Sequence, residues 1–443
     1  MYIYDAKEKK YSNIEGGYLE GDLPIRSIFV SLGDGPRPQH GMLYEPVALG
    51  DKSHIGIILM HPSADYTLND MGGEMAKRGY RALGSAVTEV NSSLDAKVYD
   101  VKRAVDFMYC VAGITKVVLM GHSGGGTLMS AYQRMAEEGL DSVKGNDMLI
   151  KCSITQEMRP ADGFMALDSN WGIAAMGLFS IDPAIIDENS GQKLDPELDI
   201  FNPANGYFLE GANYSQAFLD KFFVAQAERN NAIIQKALDR LTIIEQGKGF
   251  YADDEPFIIP AAAQFSRCNK IFPQDITIFA RTKRAHDLIH ADGSITNEII
   301  NCVRLPRLAN GKAQVMSSAI ISTVKNYLSH NSVRALANYA MKEDEVTGIA
   351  WDETYNCTTS NVPHVKCPSL FVGMTGGYEY LASEVLYDRS TSEDKAIAFI
   401  EGATHCFDAN LEAEKFTGQF GDTKKTLYDY VDIWLSKNGR FDK

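Results

Sequence analysis

Apolar positions in this chain fall into two rhythms. Short runs rich in Ile, Val and Leu alternate with longer stretches whose apolar residues recur at helical spacing. Residues 25–32 (IRSIFVSL) and 41–49 (GMLYEPVAL) read as two strands of a hairpin, because the Gly, Asp and Pro between them supply turn chemistry. HIGIILMHP then reads as a strand buried on both faces, followed by a helix over 69–79 that closes at Gly79. YRALGSAV is the next strand, residues 94–112 the next helix, KVVLM another buried strand, and residues 163–168 (GFMALD) a sixth. Strands alternating with helices predict a parallel sheet covered on both sides.

The alternation then stops for a long stretch. A helix is expected from Ser215, a good N-cap, through AFLDKFFVAQAERNNAIIQKALDRLTIIE, and another helical run over 315–342. Strand and helix resume with PSLFVGM, a helix near 382–387, the strand KAIAFIEG and an amphipathic helix over 423–437. The expected organisation is an α/β core over 1–180 and 363–443, interrupted after its sixth strand by a large, mostly helical insertion over 181–362. The apolar stripe of the long helix (Phe218, Phe222, Ala225, Ile233, Leu241) suits either the insertion's own core or a second copy in a homodimer.

Composition narrows the setting. The 443 residues are 45% hydrophobic and 23% charged, which suits a large globular core. Against 43 Lys and Arg stand 58 Asp and Glu, a net charge of −15, so nucleic acid and anionic membrane surfaces are not expected partners. No secretion signal is visible at the N-terminus, and the seven scattered cysteines contain no CxxC pair; free thiols and a cytoplasmic location are expected.

The chemistry concentrates where KVVLM runs into Gly121-His122-Ser123-Gly124-Gly125-Gly126 and then a helix. Gly-x-Ser-x-Gly between strand and helix describes a tight turn that lifts a nucleophilic hydroxyl clear of the sheet and aims a helix N-terminus at developing negative charge. His286 and His290 have helical metal spacing but no accompanying Glu or third ligand, so no metal site is expected there. No nucleotide-binding loop surrounds the glycines, and no cofactor is expected.

With this motif in place, residues 25–185 and 362–440 resemble the α/β-hydrolase superfamily. The resemblance implies a serine hydrolase with Ser123 as nucleophile and His405, just past the last predicted strand, as base. For the acid it points beyond PSLFVGM, where Gly376 and Gly377 stand and Glu379 is the carboxylate at hand; Asp168, ending the sixth strand, is the rival. The oxyanion hole is expected from the N–H groups of Gly124 and Ser63, with Ala64 as substitute because Pro62 has no N–H, and His61 is expected to be structural. The implied reaction is hydrolysis of an ester or lactone in a small organic substrate enclosed by the insertion. Thioester, amide or peptide, and carbon–carbon bond cleavage use the same residues, and a non-catalytic ligand-binding relative is the contrasting reading.

Overall fold

The computed structural model describes residues 2–5, 10–13, 17–19, 25–33, 38–145, 148–149, 152–208, 210–263, 270–306 and 318–442. Cys268, most of the turn expected between the first two strands, and the start of the helical run expected at 315 lie outside them.

The core follows the expected alternation. Its strands and helices are β1 (Ile25–Leu32), β2 (Gln39–Pro46), β3 (Ile55–Leu59), α1 (Asp70–Lys77), β4 (Arg81–Ser85), α2 (Leu94–Cys110), β5 (Lys116–His122), α3 (Gly125–Glu138) and β6 (Gly163–Leu167). A short helix, α4 (Ile173–Leu178), follows. β3 to β6 are buried along nearly their whole length, as strands covered on both faces must be. α1 starts at Asn69, whose side chain accepts from Met71 N, and the chain leaves it through Gly79 at φ +99°, a left-handed turn that glycine adopts without strain.

The segment 181–362, expected to be an insertion, is more mixed in structure than anticipated. Its long helix, α5 (Gln216–Glu245), is capped by Ser215 as anticipated. Most of the other regular pieces are strands: β7 (Arg281–Ile289) pairs antiparallel with β8 (Ile295–Asn301), and smaller antiparallel pairs join Pro256–Ile259 to Ile320–Thr323 and Ala335–Met341 to Val346–Ile349. The run expected to be helical over 315–342 thus holds one short helix, α6 (Val324–His330), between two strands. Ile320, Ile321 and Thr323 are β-branched and favour the pleated form over a helix.

The chain returns to the core with β9 (Ser369–Met374), α7 (Tyr380–Arg389), β10 (Lys395–Ile400) and α8 (Thr423–Leu435). The main sheet runs β8-β7-β10-β9-β6-β5-β3-β4-β2-β1, with short N-terminal strands beyond β1. Its centre, from β10 to β4, is parallel, while β2 and β1 are antiparallel. β7, from the insertion, joins the sheet parallel to β10 through Leu288↔Phe399 and Ile289↔Ile400. The insertion is therefore stitched into the core sheet. Two apolar clusters cover the sheet, one centred on Val98, Phe107, Leu128 and Tyr132, the other on Met75, Tyr80, Leu427 and Trp434. No helix of the described residues is long and apolar enough to cross a membrane.

His286 and His290 lie on β7 and not on a helix. His286 Nε2 is 2.8 Å from Glu384, buried on α7, and His290 Nδ1 is 2.6 Å from Glu401. Each imidazole answers its own carboxylate, one on α7 and one just past β10, and the two do not form a shared ligand set.

Candidate active site

The sharp turn between β5 and α3 is built by what its glycines lack. A Cβ on Gly121 would lie 2.6 Å from the backbone of Gly126, and one on Gly125 would lie 2.6 Å from the Met60 carbonyl. With those positions bare, Ser123 takes φ +56°, a left-handed conformation that costs an L-residue about 1–3 kcal/mol and is held here by the surrounding strand and helix. The serine hydroxyl stands clear of the sheet at the mouth of two cavities.

His405 follows β10 and meets that hydroxyl with Nε2, 2.9 Å from Ser123 Oγ. Its other nitrogen, Nδ1, lies 2.6 Å from Asp168 Oδ2, and Asp168 Oδ1 accepts from Met374 N at 2.9 Å. Asp168 is fully buried at the end of β6 and also left-handed, at φ +42°. Glu379, expected to face the imidazole, comes no closer than 4.0 Å to Nδ1. It stands at the N-cap position of α7, two residues beyond Gly377, without a side-chain hydrogen bond to the helix. β6 ends beside β9, so Asp168 reaches the ring with a shorter side chain, and Met374 N fixes its second oxygen. The hydrogen bond to the imidazole that was expected of Glu379 is therefore made by Asp168.

Charge reinforces this arrangement. Burial works against a charged His405, yet Glu379 and Asp168 together outweigh it and raise the imidazole above its ordinary range. Burial lifts the Asp168 carboxyl, against the pull of His405 and the Met374 N–H. Asp168, Glu379 and His405 could also supply one ligand atom each within 4.8 Å of one another, but His405 Nδ1 is already committed to Asp168.

The loop after β3 departs from expectation too. Ser63 N donates to His61 Nδ1 at 3.1 Å, and Ala64 N donates to the same atom at 3.0 Å. Both N–H groups expected to face an oxyanion are thus turned onto the preceding imidazole. As an acceptor on Nδ1, His61 carries its proton on Nε2. Burial, aided by His405 and Lys97, pushes its pKa down to about 4, so the ring is neutral at ordinary pH. Nε2 lies against the turn, 3.0 Å from where a Cβ on Gly124 would stand. The ring stacks on Tyr66, whose hydroxyl bonds His122 Nδ1 at 2.6 Å, and His122 Nε2 bonds the His405 carbonyl at 2.7 Å. Gly124 N–H, at the start of α3, is one of the first-turn donors that no helix carbonyl can satisfy.

One cavity, about 480 Å³, opens on the His61 side and is lined by Ser63, Gly124, Lys97 and His330. The other, about 220 Å³, opens on the His405 side and is lined by Asn170, Lys270, Arg304, Tyr378 and Glu379. Sequence patterning singled out neither Lys270 nor Arg304, because both fall in irregular segments of the insertion.

No family model matches the sequence, and no curated protein matches it. Among solved structures, the chain is similar to Est1E from Butyrivibrio proteoclasticus at 11% identity, covering 92% of this chain and 99% of that one with a TM-score of 0.41. It is similar to a monoacylglycerol lipase of Paleococcus ferrophilus at 10% identity, with 90% and 98% covered and a TM-score of 0.37. A soluble variant of monoglyceride lipase from Saccharomyces cerevisiae matches at 10% identity, with 96% and 95% covered and a TM-score of 0.38. Likenesses at this level concern the course of the chain and say nothing of a substrate.

Proposed function

We propose that the chain is an α/β-hydrolase, on its sheet order and its strand–serine–helix turn, and that it is a serine hydrolase cleaving a carboxylic ester or lactone of a small organic substrate. The observation that carries the reading is the continuous hydrogen-bonded line from Ser123 Oγ through His405 to buried Asp168. In this reading His405 Nε2 takes the serine proton as Oγ attacks the acyl carbon. Asp168 holds the Nδ1–H tautomer and stabilises the imidazolium that forms. His405 then returns the proton to the leaving oxygen, and a water activated by the same nitrogen releases the acid.

Developing oxyanion charge would be met by two donors, the Gly124 N–H and the Nε2–H of His61. His61 takes the place expected of Ser63 because the Ser63 N–H is spent on holding its ring. Glu379 is a second, more distant negative charge that keeps His405 basic.

Intact-mass analysis after treatment with a fluorophosphonate tests the reading. A single adduct on the wild type, absent from Ser123→Ala and strongly slowed in His405→Ala, supports it. A folded wild type that takes no adduct and does not hydrolyse p-nitrophenyl acetate overturns it.

A further inference from the structure

Arg304 follows β8 and lies deep in the wall of the smaller cavity, only 8% exposed. Its Nη2 is used structurally: it donates to the carbonyls of Phe272 and Ile278 at 3.1 and 2.5 Å, with the Asp275 carbonyl at 3.5 Å. Nε and Nη1 are buried and have no hydrogen-bond partner among the described residues. None of the ion pairs among those residues involves Arg304 either. Lys270, 5% exposed, lines the same cavity, and both cations stand 5.9 Å from the centroid of the Tyr378 ring.

A buried guanidinium with two idle donors is costly, because desolvation is uncompensated until an acceptor arrives. Among the described residues that line this cavity Glu379 is the one carboxylate, and His405 is paired with Asp168. Glu379 comes to 4.0 Å from His405 Nδ1 and forms no ion pair with Arg304. The neighbouring stretches outside the described residues, 264–269 and 307–317, contain no Asp or Glu in their sequence. The cavity begins at Ser123 and His405, so whatever meets Arg304 is continuous with the bond being cut.

We infer that this cavity is an anion subsite, and that the substrate is an ester or lactone carrying a carboxylate on a short arm, drawn to the guanidinium of Arg304 with Lys270 beside it. The inference rests on the serine-hydrolase reading for its reaction but not for its binding. A planar fork suits a carboxylate, and a space of about 220 Å³ shared with the reacting group admits only a short arm.

The test uses matched ester pairs that differ only in the charge of the arm. Mono-p-nitrophenyl succinate is compared with its methyl ester, placing the carboxylate in the acyl part; 4-acetoxybenzoate is compared with its methyl ester, placing it in the leaving group. The wild type is expected to favour the anionic member of at least one pair by about tenfold or more in kcat/KM. Arg304→Gln should abolish that preference, read as the ratio of kcat/KM within each pair so that a loss common to both members cancels. Preference for the neutral member of both pairs, or an anionic preference that survives Arg304→Gln, overturns the inference.

Because Arg304 also braces three carbonyls, Lys270→Gln is measured alongside, and should reduce the same preference if Arg304→Gln does not fold. Binding is read separately from catalysis by the thermal shift that succinate gives the wild type and succinamide does not. A specific succinate shift in a protein that takes no fluorophosphonate would keep the anion subsite and discard the hydrolase. Labelling of Ser123 without a succinate shift or a charge preference would do the reverse.

Discussion

Ser123 stands between two walls that differ in how their polar groups are paired. On the core wall, His405 bonds both Ser123 and Asp168, Asp168 is held in turn by Met374 N, and His122 ties the His405 carbonyl to Tyr66. These groups are organised before any ligand arrives. On the wall built by the insertion, Arg304 keeps two buried donors unused among the described residues. A wall whose polar groups satisfy one another sets geometry, whereas a wall with unanswered donors is completed by what binds to it. Under the proposed reading, chemistry falls to the core side and recognition to the segment 181–362.

The sharpest way to break this contrast is Asp168→Asn. The amide would accept from Met374 N through oxygen and turn its NH₂ to His405 Nδ1, forcing the proton onto Nε2, where it blocks deprotonation of Ser123. A fall in kcat of roughly 10³–10⁴-fold is expected, with little change in KM or in the far-ultraviolet circular dichroism. A loss below tenfold in stopped-flow ester hydrolysis would hand the acid role back to Glu379.

His61→Phe comes next, since it keeps a flat ring on Tyr66 but removes the Nε2 donor. It should lower kcat by about 10–10³-fold while KM for a neutral ester stays near the wild-type value. Unchanged kcat would mean that the oxyanion is held without this ring.

Glu379→Gln sharpens the contrast through pH and not through a large loss. Glu379 helps to raise the His405 pKa, and the base must be neutral to act. Removing the charge lowers that pKa, so the acidic limb of the kcat/KM profile should move to lower pH. The profile between pH 5 and 10 measures it, and a limb that stays fixed or moves upward contradicts the assignment. The smallest effect is expected from Ser215→Ala, which removes the side chain that accepts from Phe218 N at the start of α5. It should cost about 1 kcal/mol in denaturant unfolding and leave kcat/KM unaltered.

Much of the core was legible because its strands are buried on both faces and its helices are amphipathic, so periodicity alone separates them. The turn at Ser123 was legible for a related reason: small residues are required where an added Cβ would come within 2.6 Å of neighbouring backbone. β7 was hidden because its inward-facing positions include Thr282 and His286, polar residues made tolerable by partners remote in sequence, such as Glu384. Asp168 and Glu379 could not be separated from sequence, since the choice depends on which carboxylate a neighbouring strand brings within 2.6 Å of one nitrogen. The Ser63 N–H was expected at the oxyanion because the sequence cannot reveal that the His61 ring folds back to capture it.

The joining of β7 to β10 fixes more than the edge of a sheet. β10 leads to His405, and β8, paired with β7, leads to Arg304 by way of Val303, whose N–H bonds the Thr375 carbonyl at 2.8 Å just past β9. The base and the buried guanidinium are thus two marks on one rigid gauge. Across a homologous series of arms lengthened one methylene at a time, turnover should rise to a single narrow optimum and fall on either side, as for a ruler and unlike a closing hand.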